Sequence, residues 1–315
     1  MMGKKKSKLT KFLTKSTPLW MVVLITLNSS MAFALGEYYL MKKEFNKNLS
    51  KLAQTTKSPE ELVNILKQEV LSAKGYITPL KWKSLGKQLV EAGAIDKQKY
   101  EAIFTSEGNG KEEMKHLEGE SDDYMAINES NSRFMVNTLW ALGLVQKSKV
   151  LDEGPMMQRG RAEAGNFAST GGWTLGSKGA MELYSSQEII LLTAQQQDLV
   201  KKIAEGVFRS CCGNSTAFPD CNHGMAALGY IEWAVYNGLS EGQIYKDLLA
   251  FNSFWFPQNY VEMAVYFAKQ GTKWKEVDPK LALSVDYASA QGAQRIKQAV
   301  QGVPGIQSQG GGCGA

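Results

Sequence analysis

The chain has 315 residues, 43% of them hydrophobic, enough apolar material for a packed core and too much for a disordered chain. Its formal charge of +5 is concentrated at one end: six of the 36 Lys and Arg fall in the first fifteen residues, which hold no acid, and the remaining 30 face 31 acids, a net of −1. That excludes a nucleic-acid binder working through a clustered basic surface, and four cysteines in so long a chain exclude a disulfide-dependent miniprotein.

The first element is a leader. Lys4, Lys5, Lys6, Lys8, Lys11 and Lys15 precede an uncharged run of 21 residues from Ser16 to Gly36. As a helix such a run is about 31 Å long, enough to cross a ~30 Å hydrocarbon core. A basic start before an apolar run directs export and leaves the lysines in the cytoplasm. As a retained anchor, Trp20 and the pair Tyr38-Tyr39 mark the two membrane interfaces. As a cleaved signal, Leu19–Leu27 is the apolar region and Ala32-Phe33-Ala34 the cleavage site. Either reading places the rest of the chain outside the cytoplasm, in a periplasm or at a cell surface. The partners it implies are membrane lipid, through the N-terminal helix, and an envelope protein.

Beyond the leader the apolar spacing is helical and no sheet is predicted, so the expected fold class is all-α. Glu37–Ala53 reads as a polar helix. Ser58-Pro59-Glu60-Glu61 is a capping box with proline at the first helical position, opening a helix with Leu62, Ile65, Leu66 and Val70 on one side. Pro79–Ala92 is predicted as a second amphipathic helix burying Leu80, Trp82, Leu85, Leu89 and Val90, and Asp96–Phe104 as a third. Residues 105–123 are rich in glycine and acid and read as an exposed linker, with His116 as a solvated linker histidine. The organisation expected is a leader (1–36), a helical membrane-proximal region (37–104), the acidic linker (105–123), a main helical domain (124–301) and a flexible glycine-rich tail (302–315).

Within the main domain, Asn131–Gln146 resumes helical periodicity. Leu151–Tyr184 breaks it with seven glycines, without the spacing of a nucleotide-binding loop, and reads either as a ligand-contacting loop or as one that wraps the core. Thr193-Ala-Gln-Gln196 is another capping box, opening a helix to about Phe208. Gly224–Tyr236 is apolar nearly all round and is expected to be central and buried. Helices after Ser240, Pro257 and Pro279 complete the chain. Glu232 and Glu262 read as solvent-facing carboxylates, with a general acid as the alternative. The aromatic run Phe251–Tyr260 reads as core filling beside a proline turn.

The segment Cys211–His223 carries the chemistry. It holds three of the four cysteines and one of the two histidines within thirteen residues, and Cys313 lies in the tail. Asp220 or Asn222 is expected to cap the following helix, which places Cys221 at the positive end of the macrodipole and favours its thiolate. Three outcomes fit. Cys211, Cys212, Cys221, His223 and Cys313 supply soft donors for Cu or Zn, although the spacing departs from paired zinc-finger cysteines. Alternatively, the four cysteines form disulfides in an oxidising compartment, giving a stapled envelope scaffold or interaction domain without metal. Third, the cluster is a thiol–disulfide redox site, though no C-x-x-C occurs. No serine-hydrolase or zinc-protease motif is present, and a binding or structural role is preferred to catalysis.

Overall fold

The computed structural model is mostly helical. It describes residues 36, 39, 58–104 and 112–306. Residues Met1–Gln54 form one unit and Thr55–Ala315 another. In the first, only Gly36 and Tyr39 are described, both helical. The basic leader, the uncharged run before Gly36, the cleavage site and the rest of the polar helix lie outside the described residues, as does Cys313. Among the described residues no helix is long and apolar enough to cross a membrane.

The second unit opens with α1 (Pro59–Val70), capped as its sequence prescribes: the Ser58 hydroxyl accepts from the Glu61 amide at 3.2 Å, with Pro59 at the first helical position. The next segment departs from expectation. Where one helix over Pro79–Ala92 is predicted, the chain forms strand β1 (Tyr76–Lys83) and then α2 (Leu85–Glu91). The reason is a period of two: Thr78, Leu80 and Trp82 are buried in alternation, while Pro79 points outward, where its missing donor is harmless. Helix α3 (Lys97–Phe104) follows.

Strand β1 pairs antiparallel with β2 (Ser121–Ile127), so the fold includes one two-stranded sheet that the sequence does not announce. Part of the stretch expected as an exposed linker is thereby structured: Glu113–Leu117 is a 3-10 helix, and β2 begins at Ser121. His116, predicted as solvated, is buried. Its ring stacks on Trp82 with centroids 4.7 Å apart, and its Nδ1 lies 3.2 Å from the Ser121 hydroxyl. Burial, reinforced by the Lys115 charge and opposed by Asp123, pulls its pKa down to about 4.

The core is built on two helices, α4 (Ser132–Val145) and, after α5 (Ala194–Gly206), α6 (Asn222–Tyr236). Both α4 and α6 are apolar nearly all round and both are central. They meet at glycines. A methyl on Gly143 would stand 2.1 Å from the Met225 carbonyl oxygen, and one on Gly229 would stand 2.3 Å from that of Leu139. Backbone touches backbone here, so no side chain can yield. Helices α7 (Glu241–Trp255), α8 (Pro257–Lys269) and α9 (Ala290–Val300) complete the unit, the first with Ser240 accepting from the Gln243 amide. The capping box Thr193–Gln196 on α5 forms as predicted. The aromatic run at the junction of α7 and α8 fills core: Phe251, Phe254, Trp255, Phe256 and Tyr260 are all buried.

Glu232 and Glu262, predicted to face solvent, are both buried. Glu262 accepts from Gln258 Nε2 at 2.8 Å. Neither carboxylate oxygen of Glu232 has a hydrogen bond of good geometry. Burial raises its pKa well above the carboxylate range, against a smaller opposing effect of the Ser148 hydroxyl.

Two outcomes follow for stability. Gly229→Ala forces α4 and α6 apart and costs about 1–3 kcal/mol or more in urea unfolding. Glu232 sets a pH slope. Its folded-state pKa is raised, so above the ordinary carboxylate range the unfolded chain is ionised while the folded one holds its proton. Stability therefore falls as pH rises, by about 1.4 kcal/mol per unit. Glu232→Gln has no such proton to lose, and its stability advantage over the parent, measured by urea unfolding, widens between about pH 5 and about pH 7.

Candidate functional site

The site lies in the loop between α5 and α6. Its ends are pinned by the backbone: the Thr216 amide donates to the Val207 carbonyl at 2.8 Å, the Ala217 amide to Ala204 at 3.1 Å, and the Ala290 amide to Cys212 at 2.9 Å. Its middle is organised by Arg209, whose side chain is 1% exposed. The guanidinium donates to Cys221 Sγ, the Asn214 carbonyl and the Phe218 carbonyl, each at 3.0 Å, and to Asp220 Oδ1 at 2.7 Å. A cation buried this far from water must be paired, and the loop folds around it to supply the partners. The packing requires Gly224, because a methyl there would stand 2.4 Å from the guanidinium carbon.

Cys221 is itself the cap of α6: its sulfur accepts from the Gly224 amide at 3.4 Å. Asp220 and Asn222, the caps predicted from sequence, are engaged elsewhere. Asp220 is taken by Arg209 and by Asn214 Nδ2 (2.7 Å), and Asn222 Oδ1 accepts from the His223 amide (2.9 Å). The expected consequence for the thiol remains, since a cysteine at the cap lies at the positive end of the helix.

The fold gathers Cys211, Cys212 and Cys221 so that their sulfurs all lie within 4.8 Å of one another. Cys221 is the hub, 3.3 Å from Cys211 Sγ and 4.0 Å from Cys212 Sγ. All three are free thiols, so none of the predicted bridges among them is formed. Hydrogen bonds from Cys211 and Cys212, together with the charge and N–H of Arg209, lower the Cys221 pKa despite burial. The same hydrogen bonds raise Cys211, to Cys212 first and Cys221 second, with burial adding to them. Cys212 is also raised, because Cys221 and burial outweigh the lowering effect of Cys211. Of the three sulfurs, Cys221 is thus the one whose thiolate is favoured.

His223 does not join them. It is buried against Phe256 (ring centroids 4.5 Å) and Trp255 (5.7 Å), with Nδ1 lacking a hydrogen-bond partner. Burial lowers its pKa to about 4, so it is neutral at pH 7. Of the five donors the sequence offers, the structure unites three, places His223 in the aromatic core behind them, and leaves Cys313 outside the described residues.

Cys211 and Cys221 also line a cavity of about 530 Å³. One wall comes from α4 through Arg133, Asn137 and Trp140. Another comes from the glycine-rich segment through Trp173 and its neighbours. That segment wraps the core and reaches the thiol loop, its Ser169 amide donating to the Asp220 carbonyl at 3.2 Å and Phe167 meeting Phe218 edge-on at 5.2 Å.

Arg209 is the functional residue that sequence reasoning missed. The signal was a lone charge two residues before a thiol pair, in the otherwise uncharged stretch from Val207 to Phe218. No protein-family model, curated protein or solved structure matches the chain.

The electrostatics yield a reactivity pattern. In reduced, metal-free protein, iodoacetamide labelling of Cys221 persists to lower pH than that of Cys211 and Cys212, whose thiols are raised and need more alkaline solution. Arg209→Met moves the Cys221 profile to higher pH. It also destabilises the fold by about 3–5 kcal/mol, because Asp220 loses its buried partner. Site-resolved mass spectrometry and urea unfolding read the two effects.

Proposed function

We propose that this chain binds a soft metal ion, Zn(II) or Cu(I), through the sulfurs of Cys211, Cys212 and Cys221, in a helical domain that residues 1–36 tether to the outer side of a membrane. The observation that carries the metal reading is the meeting of three sulfurs within 4.8 Å around one polarised thiol. Donors about 2.3 Å from a shared ion stand roughly 3.7–4.0 Å apart, between the tetrahedral and trigonal limits. The sulfur separations of 3.3 and 4.0 Å around Cys221 bracket that range, so small side-chain rotations suffice. Thiolates are the donor type that Zn(II) and Cu(I) favour. Arg209 has the place of an outer-shell partner, donating to a ligand sulfur and offsetting the negative charge of a thiolate set. The tether rests on the lysine-led apolar run, and an envelope partner remains part of this reading.

A second reading has its own observation. Cys211 and Cys221 are the closest pair of sulfurs, at 3.3 Å, and loss of two electrons and two protons to an oxidant would join them as a disulfide.

Purification under reductant and without oxygen, followed by elemental analysis, is expected to give one Zn or Cu per chain. Cys221→Ser abolishes uptake, and Cys211→Ser or Cys212→Ser weakens it at least tenfold. A metal-free protein whose thiol count falls by two on exposure to air would replace the metal reading with the disulfide one. The N-terminal sequence of the protein recovered from membranes tests the tether, which requires residues 1–36 to be retained.

A further inference from the structure

The closest sulfur pair and the cavity coincide. Cys211 and Cys221 both line the cavity of about 530 Å³, a volume within the range of sites for small organic molecules. All three cysteines of the loop are free and partly exposed, but their surroundings differ. The Cys221 sulfur receives two N–H donors, the Gly224 amide at 3.4 Å and Arg209 Nε at 3.0 Å, which is what a sulfur carrying charge requires. The Cys211 sulfur stands 3.3 Å from it. The Cys212 sulfur is farther, at 4.0 Å, and is drawn toward Asp220 Oδ1 (3.7 Å) and the Asn214 carbonyl (4.0 Å).

We propose that the cavity admits a small organic disulfide with an apolar body, which Cys221 attacks and Cys211 resolves. This rests on the disulfide reading above and adds the class of substrate, the order of the thiols and the route by which the oxidant reaches them. The body is specified by the wall that Trp140 and Trp173 make, meeting edge-on with centroids 4.8 Å apart. Both indole N–H groups are engaged, Trp140 Nε1 by the Ser169 carbonyl at 2.7 Å and Trp173 Nε1 by the Ala94 carbonyl at 3.0 Å. The rings therefore offer carbon surface, which suits an aromatic or aliphatic group. In the first step the Cys221 thiolate bonds to one sulfur of the substrate, the substrate's sulfur–sulfur bond breaks, and its other half leaves as a thiolate. In the second, the Cys211 sulfur attacks the Cys221 sulfur of the mixed disulfide and the remaining half leaves. The departing thiolates take up the Cys211 proton and one from solvent. Two cysteines are thus oxidised to one disulfide while the substrate is reduced to two thiols. A soft ion would hold the same sulfurs, so metal binding and exchange compete.

The test uses the full chain, reduced, metal-free and without oxygen, mixed with one equivalent of dipyridyl disulfide, an aromatic disulfide whose released thione absorbs light. Two thiones per chain are expected, with a Cys211–Cys221 bridge located by peptide mass spectrometry. The rate is expected to exceed that of N-acetylcysteine at the same pH by about tenfold or more. Cys211→Ser releases one thione and keeps the pyridylthio group on Cys221. Ala168→Trp, a larger side chain at an exposed position of the cavity wall, slows the reaction about tenfold. Methyl methanethiosulfonate, which transfers only a methylthio group, still labels Cys221 of that variant at the parent rate and certifies its fold. A first adduct on Cys212 or Cys313, a bridge from Cys221 to either of them, or an unslowed Ala168→Trp overturns the inference. If air forms the Cys211–Cys221 bridge but dipyridyl disulfide reacts no faster than with N-acetylcysteine, the disulfide reading stands and this inference falls. If neither air nor the probe forms the bridge, both fall and the metal reading is left.

Discussion

A single buried cation organises the site. Arg209 is almost wholly removed from water, and a guanidinium in that position is tolerable only if its N–H groups are met. The loop meets them with two backbone carbonyls, one carboxylate and one sulfur. Each partner is thereby positioned: Asp220 cannot cap the helix because Arg209 holds it, and Cys221 caps in its place. The demand that keeps Arg209 buried thus also sets the sulfur at the head of α6 and gives it its charge. A lysine could not substitute, since an ammonium lacks the planar fork that reaches four partners at once.

The second constraint is the contact of α4 with α6. Two glycines let the backbones approach until no side chain fits between them. This fixes the head of α6, which Cys221 caps, relative to the face of α4 that presents Asn137 and Trp140 to the cavity. The glycine-rich segment then closes the third side by hydrogen-bonding to the Asp220 carbonyl and setting Trp173 against Trp140. Thiols, indoles and an arginine that are far apart in the chain share one cavity for this reason. The arrangement also separates the polar duties of the site from its apolar ones: the sulfurs and Arg209 on one side, and His223 with Phe256 and Trp255 behind them.

Under the metal reading, this geometry sets the charge balance. Arg209 and the helix end favour the thiolate of Cys221, and a bound cation would draw the remaining protons from Cys211 and Cys212. Under the disulfide reading, the same hub sulfur is the attacking thiolate and Cys211 its partner. Both readings draw on the polarisation of Cys221 and differ in what meets it.

The sequence by itself determined which segments are helical wherever the apolar period or a capping box is strong: α1, α4, α5 and α6 begin and end close to where their residues say. It also placed three cysteines between Cys211 and Cys221 and put Cys221 at a helix head, because a buried apolar run needs side-chain acceptors for the free amides of its first turn. Tertiary structure decided the rest. Strand β1 was misread because Leu80, Trp82, Leu85 and Leu89 fit a helical stripe when β2, whose pairing makes a strand stable, lies about forty residues away in the chain. His116 and Glu232 were misread because burial is a property of what packs on a residue, not of the residue. Arg209 stood in the sequence only as a lone charge near a thiol pair, because a lone arginine gains its meaning only from the partners that the folded loop brings to it. Among the described residues the choice of three donors from four was likewise spatial: sequence proximity put His223 beside Cys221, but the first turn of α6 sends its ring into the aromatic core instead.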